Sequence, residues 1–211
     1  MFREKAFIWD LDGTLLDSYK QILESVMLTL ADFGIAREEK EVLRYIVGGS
    51  VKDYLQHLAS ETGLDYTEMD QDFQKYNYAR IWQITPAPRA EEILRCIQEQ
   101  GGRNFVFTHR DHSAGEMLDR LKITEYFEEV LTLEDGFARK PDPQAVNFLL
   151  DKYQLDPEST YYVGDRRIDM ECGKNAGIRT ILYIPSYSVG KPSGVEDYVI
   201  HDFAEMMEWK F

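Results

Sequence analysis

The sequence predicts an α/β protein in which a helix-covered parallel sheet is interrupted, close to its amino end, by an all-helical insertion. Three observations carry this expectation. A short apolar run, Ala6-Phe7-Ile8-Trp9, leads straight into the acidic turn Asp10-Leu11-Asp12-Gly13-Thr14. Residues from about 19 to 84 then show helical periodicity only. From the hinge Thr85-Pro86-Ala87-Pro88 onward, short apolar strands alternate with helices, the pattern of a parallel sheet. Residues 1–18 and 85–211 are therefore expected to form the α/β core, and residues 19–84 a separate helical domain.

In chain order, the first strand ends at two acids, and Gly13 lets the backbone turn sharply there. Because strand side chains alternate, acids at i and i+2 are expected to leave the strand end on one side. Ile22, Leu23, Val26, Met27, Leu30 and Phe33 recur at helical spacing up to Gly34. Three more helices follow, around Val42–Ile46, Val51–Leu58 and Met69–Trp82, separated by Gly48-Gly49-Ser50 and Gly63. Beyond the hinge comes a helix over 89–100, then the strand Asn104–Phe107 ending at Thr108-His109-Arg110. Ser113 with Glu116 reads as a capping box for the next helix. A strand over Glu129–Leu133 precedes Arg139-Lys140-Pro141-Asp142-Pro143, where Asp142 suits a cap and Pro143 a first helical position. The strand Thr160–Val163 then runs into Gly164-Asp165-Arg166-Arg167-Ile168-Asp169. A helix to Gly177, a strand over Arg179–Ile184 and a short helix within Asp202–Trp209 complete the chain.

Composition narrows the function classes. The 211 residues carry 24 Lys and Arg against 38 Asp and Glu, a net charge of −14. That balance disfavours nonspecific binding to nucleic acid or to an anionic membrane. It also means that any anionic substrate needs concentrated local positive charge. The two cysteines, Cys96 and Cys172, form no CxxC pair or disulfide framework, as expected of a reducing compartment. No apolar run approaches the roughly 20 residues of a membrane span, and no signal-peptide pattern opens the chain. The expectation is a soluble cytoplasmic protein.

In open parallel sheets, ligands bind at the carboxyl ends of the strands, and Asp10, Thr108, Lys140 and Asp165 all fall at such positions. Asp10, Asp12, Asp165 and Asp169 brought together would repel one another unless a hard cation lay between them. Mg²⁺ suits such oxygen ligands and accepts a substrate phosphate into its shell. Each feature alone has a plainer explanation: a capped turn for the acids, a solvated surface lysine for Lys140, a capping residue for Thr108. His109 and Arg110 lie beside this loop, within reach of an anionic substrate. His57, His112 and His201 show no metal-ligand spacing, and no nucleotide-binding glycine loop is present.

Together the motifs resemble those of the haloacid dehalogenase-like hydrolases: Asp10-Leu11-Asp12-Gly13-Thr14, then Thr108, then Lys140-Pro141, then Gly164-Asp165 with Asp169. The helical insertion after the first motif resembles the α-helical cap of the subgroup containing phosphoglycolate phosphatase and β-phosphoglucomutase. The resemblance implies a Rossmann-like core and a Mg²⁺-dependent phosphatase acting on a small-molecule phosphate monoester. It implies Asp10 as the nucleophile that forms an aspartyl-phosphate and Asp12 as the acid and then base. Thr108 and Lys140 would bind the phosphoryl oxygens. Mg²⁺ would be held by Asp10, the backbone carbonyl of Asp12 and Asp165, with Asp169 close by. Asp12 argues against dehalogenation, which needs no acid there. Mutases of the subgroup usually carry a His where this chain has Ile22, so a phosphosugar mutase is the alternative. A non-catalytic phosphoacceptor module is a more distant one, since such modules lack the helical insertion. Specificity is expected from the cap, where Gly49, between two helices, either faces the ester or simply stops a helix.

Overall fold

The computed structural model describes residues 2–185 and 188–209. It divides into two compact units, one made of residues 1–17 and 85–211, the other of residues 18–84.

The first unit is built on a six-stranded sheet in which every pairing is parallel. Its strands are β1 (Ala6–Trp9), β4 (Arg103–Phe107), β5 (Glu129–Leu131), β6 (Thr160–Gly164), β7 (Arg179–Tyr183) and β8 (Tyr198–Ile200), in the order β5-β4-β1-β6-β7-β8. The central strand β1 is buried along its whole length, as a strand covered on both faces must be. Its alternation divides the core. Ala6 and Ile8 join Phe105, Phe107, Leu131, Val146, Leu149 and Tyr162 on one face. Phe7 and Trp9 enter an aromatic layer with Tyr161 and Phe203, at centroid distances of 5.3 Å for Phe7–Tyr161 and 5.7 Å for Trp9–Phe203.

Helices α5 (Ala90–Glu99), α6 (Ser113–Leu121), α7 (Gln144–Tyr153), α8 (Arg167–Asn175) and α9 (Ala204–Glu208) belong to this unit. In α5, Ala90, Ile93, Leu94 and Ile97 are the buried positions, a stripe at helical spacing. Helix α8 lies close on the sheet because Gly173 has no side chain: a Cβ there would meet Thr180 Cγ2 at 2.6 Å and Tyr162 Cβ at 2.9 Å.

The second unit consists of α1 (Tyr19–Asp32), α2 (Glu39–Gly48), α3 (Val51–Thr62) and α4 (Tyr66–Arg80), closed by a 3₁₀ turn over Ile81–Gln83. Val26, Leu30, Val42, Ile46, Leu55, Leu58, Met69 and Phe73 are buried in it. Ser50 caps α3 by accepting the Asp53 N–H at 3.0 Å.

Several sequence expectations change in detail. Two short strands, β2 (Leu16–Asp17) and β3 (Thr85–Pro86), pair antiparallel where the chain leaves and re-enters the α/β unit. Neither these nor β8 was expected. The capping box at Ser113 and Glu116 is not formed: Ser113 already lies within α6, and the Asp111 carboxylate accepts its N–H at 3.0 Å. The strand expected to reach Leu133 stops at Leu131 and gives way to a 3₁₀ turn. Asp142 does accept the Gln144 N–H at the start of α7, at 2.9 Å.

Candidate active site

The site follows from the register of three strands. Trp9 pairs with Val106 on one side and Val163 on the other, so the next residue, Asp10, stands level with Phe107 and Gly164. Thr108 and Asp165 lie one residue further along their own strands. By alternation Asp10 continues the face of Ala6 and Ile8. On that face lie the rings of Phe107 and Tyr162 and the loop that opens α7.

That loop carries Lys140, whose side chain is wholly buried. Its Nζ donates to Asp10 Oδ1 at 2.7 Å and to Asp169 Oδ1 at 2.8 Å. The ammonium lies 5.1 Å from the Phe107 ring centroid and 5.3 Å from that of Tyr162, a favourable setting for a desolvated cation. The Lys140–Pro141 peptide is cis. The loop is held from α8, where Asn175 donates to Pro141 O at 2.9 Å and Cys172 to Asp142 O at 3.3 Å. His109 holds it from the other side, its Nε2 accepting the Lys140 N–H at 2.8 Å.

Asp10, Asp165 and Asp169 are all buried and can place one carboxylate oxygen each within 4.8 Å of the others. Thr14 reaches Asp165 Oδ1 at 3.4 Å. Asp169 lies across Gly164, where an added Cβ would sit 2.4 Å from Asp169 Cβ. Asp10 Oδ2 is buried and has no hydrogen-bond partner among the described residues. An all-carboxylate donor set, with one buried oxygen left over and neither His nor Cys in it, fits a hard divalent cation such as Mg²⁺.

Burial works against charge here, and the neighbours decide the outcome. Burial pulls Lys140 toward the neutral amine, but Asp10 and Asp169 outweigh it and hold the ammonium above its ordinary pKa. Burial pushes Asp169 up, and Lys140 with Arg166 returns it below the usual carboxylate range. Burial lifts Asp10 further than Lys140 lowers it, so its carboxyl stands above that range. The burial of His109, reinforced by Lys140, Arg139 and Arg166, takes its pKa down to about 3. His109 is therefore neutral at ordinary pH. Placed by the sequence within reach of an anionic substrate, it supplies in the structure an acceptor that braces the Lys140 loop.

Asp12 does not join the acid cluster. Ladder pairing reaches Asp10, whose N–H donates to Val163 O at 2.9 Å, and goes no further, so the alternation expected to carry Asp12 to the same side as Asp10 does not extend to it. The chain instead closes a tight turn, with the Thr14 N–H donating to Leu11 O at 3.1 Å and Gly13 at φ +80°. The Asp12 carboxylate receives the fork of Arg110, Nε to Oδ2 at 3.1 Å and Nη2 to Oδ1 at 2.5 Å. The Arg110 N–H in turn donates to Thr108 Oγ1 at 3.1 Å. Gly49 lies in the helical unit, where it ends α2 and its N–H donates to Tyr45 O at 2.9 Å. Sequence reasoning missed Arg166, whose Nη2 lies 3.8 Å from Asp10 Oδ2 and whose Nε lies 4.0 Å from Asp169 Oδ2. The signal was its place between two candidate ligands, Asp165 and Asp169.

Residues 7–183 match a family model described as haloacid dehalogenase-like hydrolase. A phosphoglycolate phosphatase from Pseudomonas putida is 27% identical over 214 residues, covering 96% of this chain and 78% of that protein. The crystal structure of a hydrolase from Streptococcus pneumoniae TIGR4 is similar at 32% identity and a TM-score of 0.64, over 85% of this chain and 92% of that one. The crystal structure of a predicted phosphoglycolate phosphatase from Haemophilus somnus 129PT shares the fold at a TM-score of 0.84 and 22% identity, over 99% of this chain and 98% of that one.

Proposed function

The chain belongs to the haloacid dehalogenase-like hydrolases, and from that premise we propose that it is a cytoplasmic, Mg²⁺-dependent phosphatase of a small-molecule phosphate monoester, similar to phosphoglycolate phosphatase. One observation carries the reading. Asp10 has one carboxylate oxygen fixed by Lys140 while the other is buried without a hydrogen bond, the state of a carboxylate kept for attack or ligation rather than for structure.

In this reading Asp10 attacks phosphorus. An Asp10 O–P bond forms, the ester P–O bond breaks, and its electron pair leaves with the alcohol oxygen, which Asp12 protonates. Asp12 then removes a proton from the attacking water, whose oxygen displaces Asp10 from phosphorus. Splitting the reaction in this way replaces one difficult step with two easier ones. Asp10, Asp165 and Asp169 would hold Mg²⁺, with the Asp12 backbone carbonyl as a further ligand. When bound, the metal supplies positive charge that keeps Asp10 ionised and draws the phosphoryl group in.

Lys140 spends two of its three N–H groups on Asp10 and Asp169, leaving one for a phosphoryl oxygen. Thr108 Oγ1 accepts from the Arg110 N–H, so its own proton is directed elsewhere, toward the same group. These donors stabilise the charge that develops during transfer. His109 acts here by positioning Lys140. Gly49 and the rest of the helical unit are assigned to choice of the leaving group.

The test is phosphate release from a panel of esters, including phosphoglycolate, hexose phosphates and nucleotides, with and without Mg²⁺. Turnover of at least one ester, dependent on Mg²⁺ and abolished by Asp10→Asn, is expected. Folded protein that releases no phosphate from any ester, or an Asp10→Asn protein that keeps its turnover, would overturn the proposal.

A further inference from the structure

Among the described residues, Lys140 and Arg166 are the cations fixed beside the three acids through Asp10 and Asp169, and they behave differently. Lys140 is hydrogen-bonded to Asp10 Oδ1 and Asp169 Oδ1. Arg166 instead approaches the opposite oxygens, Asp10 Oδ2 at 3.8 Å and Asp169 Oδ2 at 4.0 Å. Those separations are ion-pair distances beyond hydrogen-bond range. The guanidinium therefore offsets charge at Asp10 Oδ2 while leaving that oxygen without a hydrogen bond. Its anchorage is firm, because the Arg166 N–H donates to Asp169 Oδ2 at 3.1 Å where α8 begins, and its side chain is only 15% exposed.

We propose that Arg166 is the counter-ion against which a divalent cation competes for Asp10 and Asp169, and that it sets how tightly the acid cluster holds Mg²⁺. Of three clustered negative charges, Lys140 offsets one and Arg166 a second. A cation arriving at Asp10 Oδ2 meets the field of a guanidinium within a few ångströms, in a setting where water screens little. Three buried carboxylates would otherwise bind a divalent cation tightly and release it slowly. The nearby guanidinium lowers that affinity without occupying a ligand position. Arginine suits the task, because its charge persists at every working pH. The inference rests on reading the acids as the metal centre.

The experiment is calorimetric titration of the full chain with Mg²⁺, and with Mn²⁺ followed by electron paramagnetic resonance, at fixed pH and ionic strength. Wild type is compared with two neutral variants, Arg166→Gln and Arg166→Ser, with the charge-keeping Arg166→Lys, and with Asp165→Asn. The neutral variants are expected to bind both cations at least about tenfold more tightly than wild type, equivalent to about 1.4 kcal/mol. Arg166→Lys should stay within about threefold of wild type, and Asp165→Asn should bind more weakly. Equal or weaker binding by whichever neutral variant folds would overturn the inference while leaving the metal centre standing, as would Arg166→Lys binding as tightly as the neutral variants. If neither wild type nor any Arg166 variant binds a cation, the metal reading itself fails and this inference with it.

Discussion

His109 Nε2 accepts the backbone N–H of Lys140 at 2.8 Å, joining the loop after β4 to the loop before α7. An acceptor nitrogen must be unprotonated, and burial together with Lys140, Arg139 and Arg166 keeps it so, with a pKa of about 3. In the unfolded chain a histidine titrates near pH 6.5, at about 1.4 kcal/mol per unit of difference. Between those two values the unfolded state binds the extra proton, so this contribution to stability is complete above about pH 6.5 and is lost as pH falls toward 3. His109→Gln keeps an acceptor without the titration. Urea unfolding from pH 7 to pH 4 should therefore show wild type losing stability more steeply than His109→Gln, by less than the full figure because solvent reaches part of the ring. Parallel slopes would show that the ring is not held neutral.

Gly164 is required by Asp169 rather than by its own backbone. A Cβ at Gly164 would lie 2.4 Å from Asp169 Cβ, 2.6 Å from Cγ and 2.7 Å from Oδ2. The obstructed atoms include the root of the side chain, so a rotamer change cannot relieve the clash. Gly164→Ala should displace Asp169, break its bond to Lys140, and lower both cation affinity and turnover by about a hundredfold or more, the scale of losing one preorganised group. Circular dichroism should stay close to wild type. Activity within tenfold of wild type would show that the strand end yields more easily than this geometry implies.

Much of this arrangement is legible in the sequence, and what is not has identifiable physical reasons. Asp10, Thr108 and Asp165 stand out because each directly follows an apolar strand, and register alone brings them to one sheet edge. Lys140 stands out through its place in an ordered motif, although nothing in its neighbourhood foretells an ammonium with no exposed surface. Asp12 shows the limit of alternation, which ceases to apply once the strand ends and the turn at Gly13 begins. Its partner Arg110 is 98 residues away, and pairings between loops leave no periodic trace. The same holds for Arg166, which the fold sets 3.8 Å from Asp10 Oδ2. The two-residue strands β2 and β3 are too short for any period, and β8 exists through its pairing with β7.

Lys140 is a buried cation between two buried carboxylates, and removing one partner from such a group typically costs about 3–5 kcal/mol. Lys140→Met keeps much of the volume and removes the charge. The variant should lose stability of that order at pH 7, because Asp10 and Asp169 are left short of compensation. The deficit should shrink as pH falls, since protonating those carboxylates relieves the repulsion that the lysine otherwise cancels. Denaturant titrations at pH 7 and pH 5 measure both effects. A deficit that grows toward pH 5 would mean that the carboxylates are not what Lys140 stabilises.

Arg110 bears on the chemistry through Asp12. Its fork holds both Asp12 oxygens, while its N–H fixes Thr108 Oγ1, so one residue orients the proposed proton donor and a proposed phosphoryl-binding hydroxyl. The two roles are separable. Arg110→Ala keeps the N–H that serves Thr108 and removes the fork, along with a longer bond from Nη1 to Ser113 Oγ at 3.4 Å, so its effect should track the need for a proton at the leaving group. An alkyl phosphate leaves as a poor anion and depends on protonation, whereas an aryl phosphate such as p-nitrophenyl phosphate leaves readily without it. The leaving group departs only in the first half-reaction, so the measurement is single-turnover release of the alcohol or phenol. Release of the alkyl alcohol should slow by about a hundredfold, within the range that general acid catalysis contributes, and that of p-nitrophenol by less than tenfold. Asp12→Asn should show the same order with a larger split. Equal slowing of both releases would assign Arg110 to holding the loop rather than to holding Asp12.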